Sequence, residues 1–206
     1  MVRTPLLDPK RYFAQREQLS VARVGAVVVC FWVISVVALM AFVQSLEPAT
    51  GSLETSAASI YLTQSIIVAI YGVTALWLCL SVALHFLACW TGGQGRFLEA
   101  LSIGGWAFAP PQLLAPVVVP IAIWVGRTGV GQPDESGVAV VQGVQELIHS
   151  GAFDAVLAVL ATWTIALWAY GLEQRYGLPF VRAVGCAAAV ALAVVVTVFA
   201  LTLGFR

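Results

Sequence analysis

His85 is the one residue inside a hydrophobic segment whose charge could change near neutral pH. Ser81 lies four residues before it and Cys89 four residues after it, the spacing that places side chains on one face of a helix. A histidine in this setting could relay a proton or hold a ligand. Histidines in membrane helices also form hydrogen bonds with neighbouring helices, and we favour that structural role for His85.

Other arrangements that support catalysis or metal binding are missing from the sequence. The four cysteines show no CxxC or Cys/His ligand spacing, so we expect free thiols that pack as small hydrophobic groups. Charged residues fall only at segment ends, as Glu99 and Asp154 do, and no Ser-His-Asp set or HExxH pair occurs. We therefore predict no catalytic residue, cofactor or metal. A membrane enzyme that acts on lipid through His85 is the weakest of three hypotheses.

Five hydrophobic stretches must position these residues, at about 24–44, 62–89, 98–126, 153–172 and 183–204. Each is long enough to cross a bilayer, because a hydrocarbon core of ~30 Å needs ~20 helical residues. In lipid, backbone groups must be satisfied within the segment, which favours helices. The chain is 61% hydrophobic and 10% charged, whereas soluble domains are about 25% charged. The predicted fold is all-α, a polytopic bundle of five transmembrane helices.

The basic residues predict the orientation of this bundle. Only Arg127 and Arg206 lie on one side, and the remaining eight of the ten lie on the other: Arg3, Lys10, Arg11, Arg16, Arg23, Arg96, Arg175 and Arg182. The positive-inside rule then places the N-terminus in the cytoplasm and, with five crossings, the C-terminus outside. We expect the membrane to be the cell membrane. Residues 1–23 would form a cytoplasmic tail and 24–206 the membrane domain. The tail either lies on the inner leaflet as an amphipathic helix or only sets the topology.

Prolines interrupt the third span. Pro110, Pro111, Pro116 and Pro120 each lack a backbone donor and clash with the carbonyl four residues earlier, so we predict a kink near 106–112. The freed carbonyls need partners, which places this helix inside the bundle with Gln112 as a candidate partner. Gly104 and Gly105, just before the kink, would let the backbone of another helix approach closely.

Glycine and alanine mark further contacts and turns. Gly92, Gly93 and Gly95 would close a tight turn between the second and third spans. Residues 45–59 are predicted to form an exposed outer connector, and 136–149 a short helix in the second outer loop. In the fifth span a stripe of small residues could pack within the bundle or against a second copy of the chain. Its members are Gly185, Ala189 and Ala193.

The region around the second turn resembles the Yip-domain family. His85 to Ala88 leads to the run Gly92-Gly93-Gln94-Gly95-Arg96-Phe97, and Gly105-Trp106 leads to Pro110 and Pro111. Family members typically show GG-x-G-[basic or small]-F followed by G-Tyr-x-x-x-P, and Trp106 stands here in place of the tyrosine. The run Asp8-Pro9 followed by Tyr12-Phe13 is similar to the Asp-Pro…Phe-Phe lead of prokaryotic members.

The resemblance implies five spans and a cytoplasmic N-terminus. Eukaryotic members are linked to vesicle traffic, membrane shaping and binding of Rab-type GTPases through the tail, but the Asp-Leu-x-Gly-Pro tail motif of those members is absent here. We predict a non-enzymatic scaffold or membrane-organising protein. The alternative is a transporter or permease component for an uncharged solute, with the broken third span lining its path. Expected partners are membrane lipids, another membrane or cytoplasmic protein, or a second copy through the stripe, and no nucleic acid.

Overall fold

The computed structural model describes residues 5–15, 21–50, 55–114, 120 and 151–204, and among these no strand occurs. The predicted helix in the second outer loop, Pro116 and residues 121–126 at the end of the predicted third span lie outside the described residues. The described elements are the helices α1 (Pro9–Ala14), α2 (Val21–Thr50), α3 (Thr55–Trp90), α4 (Phe97–Gly105), α5 (Ala109–Gln112), α6 (Gly151–Tyr176) and α7 (Phe180–Gly204), with a 3-10 turn at Trp106–Phe108 between α4 and α5.

Three of these helices are long and apolar enough to cross a membrane. They contain the stretches Ile70–Trp90 in α3, Asp154–Tyr176 in α6 and Phe180–Thr197 in α7, with mean hydropathies of 1.9, 1.8 and 2.2. A shorter apolar stretch, Val21–Val37, lies in α2. The described part of the chain therefore has the all-helical, apolar character of a membrane protein.

The first predicted connector is shorter than the sequence suggested. Helix α2 continues to Thr50 and α3 begins at Thr55, so only 51–54 of the expected 45–59 connector remain between them. Residues 55–61 contain neither glycine nor proline, and Thr, Ser and Ala can therefore extend α3 without a steric penalty. Polar composition alone misplaced these helix ends.

Contacts divide the chain into two compact units. The first unit consists of Met1–Val28, Ala75–Pro110 and Leu160–Arg206, and the second of Val29–Thr74 and Pro111–Val159. In the first unit, side chains from the seven helices and from the 3-10 turn form a buried core that includes Leu84, Ile103, Trp106, Leu172 and Ala187. Most residues of the sequence motifs lie in this unit.

The N-terminal segment contributes directly to that core. Helix α1 begins at Pro9, and the Asp8 carboxylate accepts a hydrogen bond from the Arg11 backbone N–H at 3.2 Å, as expected for an N-cap. Tyr12 and Phe13 are 2% and 0% exposed. The tail alternatives drawn from the sequence missed this packing. Burial against protein wins because each large apolar side chain gains about 1.5–3 kcal/mol when it leaves water.

Two further contacts fasten this segment. The Tyr12 ring meets the Trp106 ring edge-to-face with centroids 5.6 Å apart, and Arg175 Nη2 donates to the Gln15 carbonyl at 2.9 Å. Burial raises the pKa of Tyr12, although the charges of Arg23 and Arg175 partly oppose it. Tyr12 therefore stays a neutral aromatic anchor at physiological pH.

Candidate functional site

The glycine-rich turn begins with a regular helix cap. The Gly92 N–H donates to the Cys89 carbonyl at 3.1 Å, and the Gly93 N–H donates to the Ala88 carbonyl at 2.8 Å. Gly92 has φ +98°. These two bonds and the left-handed residue define a Schellman motif at the end of α3. A β-carbon at Gly92 would meet no atom within 4 Å, so this glycine is required for its backbone conformation.

Gly93 and Gly95 provide space for Tyr176, the last residue of α6. A β-carbon at Gly95 would lie 2.6 Å from ring atoms of Tyr176, and one at Gly93 would lie 3.0 Å from the Tyr176 β-carbon. The Gln94 N–H donates to the Tyr176 carbonyl at 3.1 Å. The turn therefore forms a cradle for Tyr176, a residue that sequence reasoning did not identify.

The Tyr176 hydroxyl lies between two hydrogen-bonding groups. It is 2.7 Å from His85 Nδ1 and donates to the Arg96 carbonyl at 3.1 Å. A phenol has one proton, so if that proton goes to Arg96, His85 Nδ1 must carry a proton and donate to the phenol oxygen. The neutral Nδ1–H tautomer satisfies all three groups. His85 thereby joins α3, the turn and α6.

Aromatic and sulfur atoms complete the surroundings of His85. Its ring meets Phe97 edge-on at a centroid distance of 5.7 Å and Tyr176 at 5.8 Å. Phe97, the last residue of the glycine motif, therefore packs against His85, which precedes the motif in the sequence. Cys89 Sγ is 3.8 Å from His85 Nδ1. The thiol and the imidazole are close, as their spacing of four residues predicts.

Ser81 is separate from this polar cluster in its contacts. Its side chain is fully buried and its hydroxyl donates to the Trp77 carbonyl of the same helix at 2.7 Å. A β-carbon at Gly104 would lie 2.6 Å from Ser81 Oγ and 3.5 Å from Ser81 Cα. The close backbone approach between α3 and α4 therefore occurs at Gly104.

Gly105 is also tightly enclosed, but by side chains. A β-carbon there would overlap Val24 Cγ1 of α2 and lie 3.0 Å from Trp77 Nε1 of α3. The Trp77 indole N–H donates to the Leu101 carbonyl at 2.8 Å, so the indole occupies the space beside Gly105. This corrects the expectation that Gly105 meets the backbone of another helix.

The helix that follows is interrupted where the prolines occur. Regular α-helix ends at Gly105, the chain passes through the 3-10 turn that begins at Trp106, and α5 then contains Pro110 and Pro111. Neither proline can donate a backbone hydrogen bond, and their rings crowd the carbonyls one turn earlier. The interruption falls inside the predicted 106–112 region. Gln112 ends α5 and is half-buried in the second unit.

The small-residue stripe of α7 lies off the face that packs in the first unit. The buried residues of α7 include Ala183, Ala187 and Val190. In contrast, Gly185, Ala189 and Ala193 are exposed, and a β-carbon at Gly185 would meet no atom within 4 Å. Among the described residues, no group of three His, Cys, Asp or Glu side chains could hold a metal ion.

Comparison with protein families finds a match over nearly the whole chain. The Yip1 domain family model matches residues 4–202 of this 206-residue chain. No curated protein and no solved structure matches it. The matched region contains the Asp8–Phe13 segment, the glycine turn and the proline-interrupted helix, all of which the resemblance had singled out. The chain belongs to the Yip1 domain family.

Proposed function

We propose that this chain is a non-enzymatic integral membrane protein that acts as a scaffold or membrane-organising partner. The observation that carries the proposal is that the polar side chains of α3, His85 and Ser81, are hydrogen-bonded within the protein. His85 Nδ1 and the Tyr176 hydroxyl bond each other, and the Ser81 hydroxyl bonds its own helix. Polar groups whose hydrogen bonds are already satisfied within the protein are poorly placed to bind or transform a substrate.

The proposal includes five spans with the N-terminus in the cytoplasm of a cell and the C-terminus outside it. Three span-capable helices and the apolar start of α2 support it. Basic residues also gather at one end of the first unit. Arg175 donates to the Gln15 carbonyl after α1, and Arg182 Nη1 donates to the Thr91 carbonyl at 3.4 Å. Arg96 lies in the turn between α3 and α4. A basic end of this kind is typical of the cytoplasmic side.

The alternative, a path for an uncharged solute, is less well supported. A path past Ser81 would need water or solute beside its hydroxyl. Ser81 is instead fully buried, and its hydroxyl lies against the position that a Gly104 β-carbon would take. This part of the first unit is therefore packed rather than open.

Crosslinking in native membranes tests the proposal. The tagged full chain is crosslinked, purified and compared with an unrelated tagged membrane protein of similar expression. We expect a partner protein in stoichiometric amount with the Yip1-family chain alone. In parallel, proteoliposomes are assayed for entry of small uncharged solutes such as glycerol. Solute entry above that of protein-free vesicles, without a stoichiometric partner, would replace the scaffold by the transport function.

A further inference from the structure

An apolar groove of about 520 Å³ lies between α3 and α7 within the first unit. Its lining includes Ala75, Cys79 and Leu87 from α3 and Ala189, Ala193 and Thr197 from α7. The Thr197 hydroxyl donates to the Ala193 carbonyl at 2.8 Å, so it offers no unsatisfied donor to the groove. A surface of this chemistry fits an aliphatic chain.

The length of the groove matches one layer of acyl chains. The step from Ala75 to Leu87 corresponds to about 18 Å of helix at a rise of 1.5 Å per residue. One leaflet contributes about 15 Å, half of a hydrocarbon core of ~30 Å. A single acyl chain that lies along the groove would therefore belong to one leaflet.

A basic side chain, Arg182, lies at the end of α3 and α7, the two helices that line the groove. Arg182 is exposed in the first turn of α7, and its guanidinium donates to the carbonyl of Thr91, the residue after α3. Ala189 follows it by seven residues, or about 10 Å of helix. Trp90, at the end of α3, is 78% exposed. Arginine and exposed tryptophan at helix ends are typical of the headgroup level.

We propose that α3 and α7 bind an anionic phospholipid, with its phosphate at Arg182 and one acyl chain in the groove. Guanidinium groups bind phosphate through charge-assisted hydrogen bonds. A helix from a second copy fits less well. Such a helix would be expected to use Gly185, Ala189 and Ala193 together, and Gly185 is not part of the groove lining. The site goes beyond the proposed scaffold function and does not depend on it.

Photocrosslinking to lipid tests the site in the full-length chain. The protein is reconstituted in a one-to-four mixture of phosphatidylglycerol and phosphatidylcholine, and each lipid in turn carries a photoreactive acyl chain. In the unmodified protein we expect phosphatidylglycerol crosslinks concentrated in residues 75–87 and 189–197. Arg182→Gln should lower them about fivefold, the factor that one basic residue near an anionic surface provides. Arg11→Gln, an exposed control on α1, should leave them unchanged.

A second pair of variants tests the groove itself. Ala193→Phe should fill it and remove the crosslinks, whereas Val196→Phe, at a position 58% exposed and outside the groove lining, should not. Equal labelling by both lipids before and after Arg182→Gln overturns the proposal. The proposal is also overturned if the unmodified protein is a dimer and Ala193→Phe makes it monomeric while lipid labelling persists. The groove would then be the contact with a second copy. If Ala193→Phe does not fold, the crosslinks of the unmodified protein suffice as the test. Crosslinks outside residues 75–87 and 189–197 would then overturn the proposal.

Discussion

Tyr176 connects α6 to α3 and to the glycine-rich turn of the first unit. Its ring fills the space left by Gly93 and Gly95, its carbonyl accepts from Gln94, and its hydroxyl joins His85 to the Arg96 carbonyl. The glycine motif therefore has a physical explanation in this chain. The motif allows the end of α3 to close around an aromatic residue from a distant helix.

Tyr176→Phe separates the two contributions of this residue. The phenyl ring should still fill the cradle, while His85 Nδ1 and the Arg96 carbonyl lose their shared partner. Loss of a partly buried hydrogen bond should lower the free energy of unfolding by about 1–3 kcal/mol. Thermal unfolding of the purified protein in detergent measures the change, with the exposed Tyr71→Phe as control. Equal midpoints for Tyr176→Phe and the unmodified protein would contradict the hydrogen-bond assignment.

His85 and Tyr176 should also behave as one energetic unit. We expect His85→Ala to cost on the order of 1 kcal/mol, the scale of an interhelical hydrogen bond in a membrane protein. The double variant with Tyr176→Phe should cost less than the sum of the single variants, because both changes remove the same bond. Additive costs would show that the two side chains do not interact. Loss of function in a folded, abundant His85→Ala protein would instead give His85 a direct role.

Sequence reasoning reached only half of this pair. His85, the Gly92–Gly95 turn and the spacing to Cys89 are local patterns, and local patterns can be read directly. Tyr176 lies 91 residues from His85, and it ends a helix as one of several aromatic residues. Gly177, with φ +67°, marks that helix end, but no rule connects one helix end to a turn so far away.

At the scale of helices, small residues have two different uses. Gly104 and Gly105 lie in a crossing of α4 with α2 and α3, where a β-carbon would collide with neighbouring atoms. Gly185 in α7 belongs to an equally suggestive sequence pattern but faces open space. We predicted a close backbone approach at Gly104 and Gly105, and it occurs at Gly104, whereas Gly105 lies against the side chains of Val24 and Trp77.

A matched pair of glycine variants tests this difference. Gly105→Ala should lower the free energy of unfolding by about 1–3 kcal/mol, as for overpacking of a tight core. Gly185→Ala should be neutral or stabilise by up to about 1 kcal/mol, because alanine restricts the unfolded chain and meets nothing in the folded one. Unfolding midpoints in detergent compare the two. A neutral Gly105→Ala would show that Val24 and Trp77 can withdraw without cost.

Helix α1 should stabilise the first unit despite its length of six residues. Phe13 is fully buried, so Phe13→Ala should cost about 3–5 kcal/mol through lost burial and a cavity. Leu7→Ala, at a side chain 90% exposed, should stay within about 0.5 kcal/mol. Thermal unfolding and protease resistance report the difference. Equal stability of the two variants would mean that the segment is a detached tail.

At the scale of the whole molecule, hydrophobic composition predicts the all-helical fold class better than it predicts where helices end or which short segments are buried. Long runs without charge predict helices because lipid offers the backbone no hydrogen-bond partners. The burial of Tyr12 and Phe13 could not be predicted in this way, because a short polar segment with only four large apolar residues resembles a tail in composition. The helix ends around 45–59 were misplaced for a similar reason, since Ser, Thr and Ala can continue a helix.

Reporter fusions at the two ends of the chain test its predicted orientation. Five spans and eight basic residues on one side predict that a reporter at Met1 is cytoplasmic and one after Arg206 is outside. A cysteine introduced by Arg96→Cys should react with a membrane-impermeant maleimide only after the membrane is opened. Its background is a variant in which the four native cysteines, Cys30, Cys79, Cys89 and Cys186, are replaced by alanine. Both termini on the same side would require an even number of crossings. Reaction of the introduced cysteine in intact cells would invert the orientation, and the basic end that holds Arg96, Arg175 and Arg182 would then face outward, against the rule that predicts it.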